Sequence, residues 1–574
     1  MAPRVKQTTT NRRVIAVYAA FLILLSLVWV RCLWLQVVSG RQLVRLHAAQ
    51  YRVVNTLLAP RGDIYDRNGR LLATSVRVPS VFANPRQVTA KDQTAVRVAD
   101  LLAQDSETVN RRLSRDKGFV WLARQVNPEL KDQLGQLRRA GIGMVEEAQR
   151  RYPNGTMASH ILGAVDIDHK GLEGLELFFN NVLRGRSGWQ AAYRDAKGDL
   201  LIGPWSVQVE PQDGYSLVLT IDSVVQEAAD EALAWGVEKY HATGGSLIVM
   251  DPHSGVLLAL ANQPTFDPNH PGDASAEARR NRAITDLLEP GSVLKIVTAS
   301  ALLEEGAIQP EERLFCEEGA YRTVGRHTLH DHRPHGWLTF HEIIQYSSNI
   351  GTSKAAQRLS PQALYHYIQA FGLGRKTGIG LPGEVRGIVP PPATWSKLSP
   401  FIIPIGQEIA VTPIQLAVMT SVIANGGFLV HPALLDRIQT SAGEVVREYH
   451  PQPPTRILRP ETTATVESML LSVVQSGTGQ LAKVQGLTVA GKTGTAQKIE
   501  PNGRYSHSRY IASFVGYGPV PDSRFVIVVT VDEPRPAYFG GVVAAPIFRH
   551  VVERLSGYWH LKPAVELPTL VRLP

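Results

Sequence analysis

Residues 14–30 run Val-Ile-Ala-Val-Tyr-Ala-Ala-Phe-Leu-Ile-Leu-Leu-Ser-Leu-Val-Trp-Val without a charge, and this run most limits what the chain can become. A membrane span needs about 20 apolar residues. Arg31 interrupts the run and Cys32-Leu-Trp-Leu-Gln-Val-Val38 continues it. A boundary arginine can lay its stem along apolar surface and keep its head in the headgroup layer. Trp29 and Trp34 suit the interface. A cleaved signal peptide would have a shorter apolar core, about 7–15 residues, followed by a small-x-small site. Here Arg-Cys-Leu-Trp follows, so an uncleaved anchor over 14–38 is expected. Arg4, Lys6, Arg12 and Arg13 precede it with no acid and favour an amino terminus inside, against the weaker pull of Arg31, Arg41 and Arg45. The expectation is a cytoplasmic tail over 1–13, one span in the cytoplasmic (inner) membrane and the bulk of the chain outside it.

Composition narrows the remainder. A chain of 574 residues is too long for one core, and 44% hydrophobic with 19% charged residues favours packed domains over disorder. Two cysteines exclude a disulfide scaffold and a four-cysteine zinc site. The net charge of +9 suggests nucleic acid, yet four of those charges lie in residues 1–13. No dense basic run interleaved with aromatics follows, so no nucleic-acid partner is expected.

Along the soluble part, Asn68-Gly69 between apolar-containing runs predicts a hairpin in which both central residues take positive φ. The Arg61-Gly-Asp63 tripeptide is read as chance. Residues 86–150, rich in Arg, Gln and Leu, read as mostly helical. The texture changes between 205 and 225. Strands are predicted over 215–221, 245–250 and 256–261, a helix over 223–240, and late strands over 510–518 and 524–532. Strands at both ends with helices between them predict an α/β domain whose sheet closes with its last strands. The tail after Gly557 reads as extended.

The chemistry lies in three short elements. Glu289-Pro-Gly-Ser292-Val-Leu-Lys295 places Ser-x-x-Lys at a helix start, where residues i and i+3 share a face. The Lys295 amine is expected to reach the Ser292 hydroxyl, and the helix amino terminus favours negative charge there. Ser347-Ser-Asn349 is the one Ser-x-Asn in the chain. Lys492-Thr-Gly-Thr495 follows Leu487-Thr-Val-Ala490, which reads as strand. Gly494 is expected to leave room for a substrate backbone, and Lys492 with the two threonine hydroxyls suits a carboxylate. Each element alone is weak: Ser114/Lys117 repeats the first and Lys376-Thr-Gly378 repeats the third. The order Ser-x-x-Lys, Ser-x-Asn, Lys-Thr-Gly is the set of penicillin-binding proteins and serine β-lactamases.

Two rivals use the same stretches. Gly486 to Thr493 matches the P-loop pattern, and Val526–Glu533 looks like a Walker B strand with its acid. A P-loop needs its strand before the first glycine and a helix after the lysine, and Pro501, Gly503, Gly516, Gly518 and Pro519 leave little room for that helix. His327, His330, His332, His335 and His341 with Asp331 have conceivable zinc spacing, but a solvated, proline-containing loop accounts for them, so no metal or cofactor is expected.

Taken together, the chain resembles a class B penicillin-binding protein, a monofunctional peptidoglycan D,D-transpeptidase, over nearly its whole length. Arg61-Gly-Asp-Ile-Tyr-Asp-Arg-Asn-Gly69 and Gly171-Leu-Glu-Gly-Leu-Glu176 resemble signatures of that family's non-catalytic pedestal. Asn281-Arg-Ala and Gly406-Gln-Glu-Ile-Ala-Val-Thr-Pro-Ile-Gln-Leu416 resemble stretches of its transpeptidase module. The resemblance implies an α/β (α+β) fold: a transpeptidase domain over 216–557 with an antiparallel sheet flanked by helices, an elongated pedestal over 39–215 and an extended tail over 558–574. It implies Ser292 as nucleophile, Lys295 as its proton acceptor and Ser347 as relay to the leaving D-alanine. Asn349 would hold the donor amide, and Lys492, Thr493 and Thr495 beside Gly494 would hold the terminal carboxylate. The backbone N–H groups of Ser292 and Thr495 would form the oxyanion hole. Stem peptides are the implied substrates and β-lactams the implied acylating inhibitors. With only about twenty residues between anchor and pedestal motif, a polytopic (SEDS-type) glycosyltransferase and other division proteins are the implied partners. The division-specific septal type resembles it most. An elongation-type enzyme, a D,D-carboxypeptidase or β-lactamase, a β-lactam sensor and a non-catalytic division scaffold are the alternatives.

Overall fold

The computed structural model describes residues 7–38, 52–57, 59–137, 141–194, 200–201, 208–324, 327–500 and 502–561. Helix α1, Gln7–Leu33, carries the apolar run and passes into a π-helical turn over Trp34–Val38. Its 27 residues rise about 40 Å, enough for a bilayer core. The Arg31 guanidinium lies 4.8 Å from the Trp34 ring, so the interrupting charge is held against the interfacial indole. Among the described residues this is the one helix long and apolar enough to cross a membrane.

The chain packs as two units. The first, residues 1–59 with 186–212, contains α1 and an antiparallel sheet in which Gly188–Arg194 lies between Arg52–Leu57 and Leu200–Leu201, with Gln208–Val209 also paired to it.

The second unit comprises residues 60–185 and 213–574. One sheet in it joins early and late segments: Ile64–Tyr65 pairs with Leu71–Ala83 on one side and runs parallel to Ser216–Leu219 on the other. The turn between Ile64–Tyr65 and Leu71–Ala83 is the expected hairpin, but of the two central residues only Gly69 takes positive φ. Asp66 makes up the difference, its Oδ1 accepting from the N–H groups of Asn68 and Arg70. Arg61 opens the same segment. Its guanidinium is buried against Glu176, whose other oxygen accepts from Arg150 Nε at 2.6 Å. The two pedestal motifs, 115 positions apart, thus meet in one buried Arg–Glu–Arg group. Residues 86–150 are less helical than expected. Helices cover Lys91–Leu102, Ser106–Leu113 and Lys131–Gly135, but Val120–Ala123 and Ile142–Arg151 are strands on Leu71–Ala83. The Glu, Gln and Arg side chains of Ile142–Arg151 have helical propensity, and the partner strand overrides it.

The later part of the unit is built on a five-stranded antiparallel sheet of β1 Gly244–Met250, β2 Leu257–Gln263, β3 Ala490–Ile499, β4 Tyr505–Gly518 and β5 Phe525–Asp532, in the order β2-β1-β5-β4-β3. Both faces of the inner strands are buried, which explains the continuous apolar runs Leu247–Met250 and Val526–Val529. Leu247, Val249, Phe514, Ile527 and Val529 face one core with α2 (Ser223–Lys239) and a long carboxy-terminal helix, Gly540–Ser556. Ile248, Met250, Val515, Val526 and Val528 face the other. There lie α3 (Lys295–Glu304), α4 (Asn349–Ala356), α5 (Pro413–Ala424) and α6 (Pro460–Gln475). Every residue of α5 is buried, as expected of a helix apolar on all sides. The tail expected to be extended falls from 562 onward outside the described residues.

Candidate active site

Ser292 lies in a single 3-10 turn, Gly291–Leu294, that runs directly into α3. Gly291 takes φ +52, and a Cβ there would stand 3.1 Å from Thr495 O; the glycine is required because the turn abuts β3. Its N–H donates to Gly406 O at 3.1 Å. The turn that carries Ser292 is thus held between the Lys-Thr-Gly strand and the loop at Gly406.

Lys295 begins α3 and is fully buried. Its Nζ donates to Ser347 O at 2.7 Å, Asn349 Oδ1 at 2.8 Å and Ser347 Oγ at 3.2 Å. The expected bond to Ser292 is not formed: among the described residues the half-buried Ser292 hydroxyl has no hydrogen-bond partner. The lysine serves the Ser-x-Asn motif first, and it must give up one of three acceptors to offer Ser292 a lone pair. Ser347 holds a left-handed backbone, φ +61, a conformation costly for a non-glycine residue. That conformation turns its hydroxyl between two amines, since Lys492 Nζ also donates to Ser347 Oγ, at 2.9 Å. Lys492 is fully buried in β3 and donates again to Thr493 O.

Burial pulls the Lys295 amine down to about 7, against the opposing attraction of Asp331 and Cys316. Burial and repulsion from Lys295 hold Lys492 well below the ordinary lysine range. Attraction to Asp331 opposes the burial of Lys295, whereas burial and the neighbouring Lys295 both lower Lys492.

Asp331 is the residue that sequence reasoning passed over. It stands in the histidine-rich stretch, yet its Oδ1 accepts from the N–H groups of Asn349 (2.6 Å) and Ile350 (2.9 Å), and its Oδ2 from Ser348 Oγ (2.6 Å). It caps α4 and places a negative charge under Lys295. The histidines around it take other roles: His332 packs on Phe539, His335 stacks on Tyr346 and His341 pairs with Ser472. No three-residue metal cluster occurs among the described residues.

The missing Cβ of Gly494 would point inward, overlapping Ser513 Oγ and lying 2.8 Å from Val293 Cγ2, so the glycine lets β3 close on the turn that carries Ser292. Thr493 Oγ1 pairs with Thr478 Oγ1 at 2.8 Å, and Thr495 Oγ1 accepts from Gly540 N at 3.1 Å. The strand begins at Ala490 and continues through Thr495, where a P-loop would need loop and then helix. Residues 487–489 lie before it, outside the predicted strand's actual start. Of the two repeats, Ser114 and Lys117 are exposed beyond a helix end, and Lys376–Gly378 lies in a loop closed by Glu384.

Residues 245–553 match the penicillin binding protein transpeptidase domain. The chain belongs to the penicillin-binding transpeptidases. Residues 56–219 match the penicillin-binding protein dimerisation domain that accompanies it. Among similar proteins, the probable peptidoglycan D,D-transpeptidase PenA of Neisseria gonorrhoeae is 33% identical over 95% of this chain and 93% of its own. The peptidoglycan D,D-transpeptidase FtsI of Escherichia coli K12 is 33% identical over 94% and 91%. Penicillin binding protein 3 of Mycobacterium tuberculosis, solved with aztreonam, superposes with a TM-score of 0.70 at 30% identity, covering 89% of this chain and 98% of that one. The fold of this penicillin-binding transpeptidase is therefore mixed α/β, with an amino-terminal dimerisation module and one amino-terminal apolar helix.

Proposed function

We propose that this serine-type peptidoglycan D,D-transpeptidase cross-links stem peptides through an acyl-enzyme on Ser292, and that β-lactams acylate the same serine. The observation that carries the reading is one hydroxyl, Ser347 Oγ, held between Lys295 and Lys492 beside the Ser292 turn. Ser292 Oγ attacks the penultimate D-alanine carbonyl as neutral Lys295 accepts its proton; burial keeps that neutral form populated near pH 7. Developing negative charge falls to the N–H groups of Ser292 and Thr495. Ser347 passes the proton to the departing D-alanine. Asn349 holds the donor amide. Lys492, Thr493 and Thr495 receive the terminal carboxylate, which supplies the counter-charge Lys492 lacks. An amine of a second stem peptide then attacks the acyl-enzyme and frees Ser292.

In the same reading the chain spans the inner membrane once with its amino terminus inside, its pedestal covers 39–215 and its transpeptidase domain 216–557. Glycan strands come from a polytopic SEDS-type glycosyltransferase, and the enzyme works at the division septum with other division proteins. The test is labelling of membranes with a fluorescent penicillin. A stable band is expected in wild type and in Ser114→Ala, and none in Ser292→Ala. A folded wild type that takes no label refutes the assignment and leaves a scaffold.

A further inference from the structure

Three residues before the nucleophile, Glu289 makes two bonds that the chemistry above does not use. Its Oε1 accepts from Tyr505 OH at 2.9 Å and from Glu408 N at 2.9 Å. Tyr505 opens β4 and pairs with Ile499, so it stands at the turn end of the hairpin whose β3 strand carries Lys492 and Thr495. Glu408 follows Gly406, the partner of Gly291, and holds a left-handed φ of +60. Its own carboxylate turns aside to accept from Ser399 Oγ. Backbone strain of this kind survives only where surrounding structure imposes it. Here it aims the Glu408 N–H at Glu289 while Gly406 O holds Gly291.

We propose that Glu289 is a positioning residue for acylation: its carboxylate ties the distal end of the β3–β4 hairpin and the Gly406–Glu408 loop to the turn that presents Ser292. The inference rests on Ser292 being the acylated residue. The tie acts on the chemical step, because the hairpin and the turn supply opposite sides of the oxyanion site, and small displacements there cost rate more than affinity. The groups that face Glu289 are the Tyr505 phenol from the hairpin and Glu408 from the loop. Burial, reinforced by Glu408, pushes its carboxyl up to about 7, and the same burial with Glu289 raises the Tyr505 phenol. Hydrogen bonds to an ionised carboxylate are stronger than those to a neutral one, so the tie tightens as pH rises through 7.

The experiment measures acylation of full-length detergent-solubilised enzyme by a chromogenic cephalosporin, separating the rate constant of acylation from the dissociation constant of the prior complex. Ser292→Ala serves as control. Tyr505→Phe removes one hydroxyl from a half-exposed ring; it should slow acylation about tenfold with the dissociation constant changed less than about twofold. Glu289→Gln keeps the acceptor Oε1 and mimics the protonated acid. Its rate relative to wild type should be about one at pH 6 and fall three- to tenfold by about pH 8. The double variant should be no slower than the slower single. Unchanged acylation in Tyr505→Phe, a Glu289→Gln ratio independent of pH, or additive effects in the double variant would overturn the proposal while Ser292-dependent labelling stands. Acylation persisting in Ser292→Ala would remove its premise as well and overturn both.

Discussion

Replacing Asp331 by asparagine separates the charge beneath Lys295 from the shape of the site. Asparagine keeps Oδ1 for the N–H groups of Asn349 and Ile350, and the Ser348 hydroxyl can turn to accept from the new amide. The geometry of α4 should survive with a loss of about 1 kcal/mol, the ordinary cost of weakening a helix cap. The charge is the first of the two attractions opposing burial at Lys295, so its removal lowers that amine below its value of about 7. A neighbouring opposite charge shifts a titrating group by about one unit or more. At pH 6 an amine at 7 is about one-tenth neutral, and one at 6 about half neutral, so acylation should rise roughly fivefold at pH 6. Above pH 8 both forms are essentially neutral and the rates should coincide. The assay is the second-order acylation rate with a fluorescent penicillin from pH 5 to 9, alongside thermal denaturation. An acidic limb that stays in place, or moves to higher pH in a folded variant, would show that Lys295 does not set that limb.

Other substitutions test the frame. Gly494→Ala forces a methyl against Ser513 and Val293; it should cost about 1–3 kcal/mol in thermal stability and depress acylation of the folded fraction. Glu176→Gln leaves Arg61 and Arg150 buried without their carboxylate and should cost about 3–5 kcal/mol in denaturant unfolding, while penicillin labelling of the folded protein persists. The two guanidinium groups depress the Glu176 carboxyl against its burial. Its contribution is therefore complete above the unfolded value of about 4.3 and lost as pH falls through the lower folded value, which acid titration of wild type against Glu176→Gln would resolve. Lys295→Arg keeps a cation that cannot act as a base and should abolish detectable labelling without loss of fold.

What could be read before folding was local. Ser292, Lys295, Ser347, Asn349 and Lys492 each declare themselves within four residues, and their order brings them together as a set. The core strands were legible because burial on both faces leaves Leu247–Met250 and Val526–Val529 apolar without interruption. Asp331 was not legible. Its meaning comes from N–H groups 18 and 19 positions away, and its histidine neighbours pointed to solvent or metal. Arg61 needed Glu176 to explain it, and Ile142–Arg151 needed its partner strand. The contact of Gly494 with Ser513 and Val293 was not legible either, since sequence does not say which way an absent side chain would have pointed.

The hydroxyl shared by two buried amines also makes the site a proton store. Near neutral pH, Lys295 and Lys492 together hold fewer protons than two exposed lysines would, because burial lowers both and Lys295 further disfavours charge on Lys492. An anion arriving beside Lys492 favours its ammonium form and so draws a proton from the medium. Binding of a carboxylate ligand to Ser292→Ala should accordingly take up a fraction of a proton. In calorimetry its apparent heat should change with the ionisation enthalpy of the buffer, whereas a neutral ester of the same ligand should give one heat in every buffer.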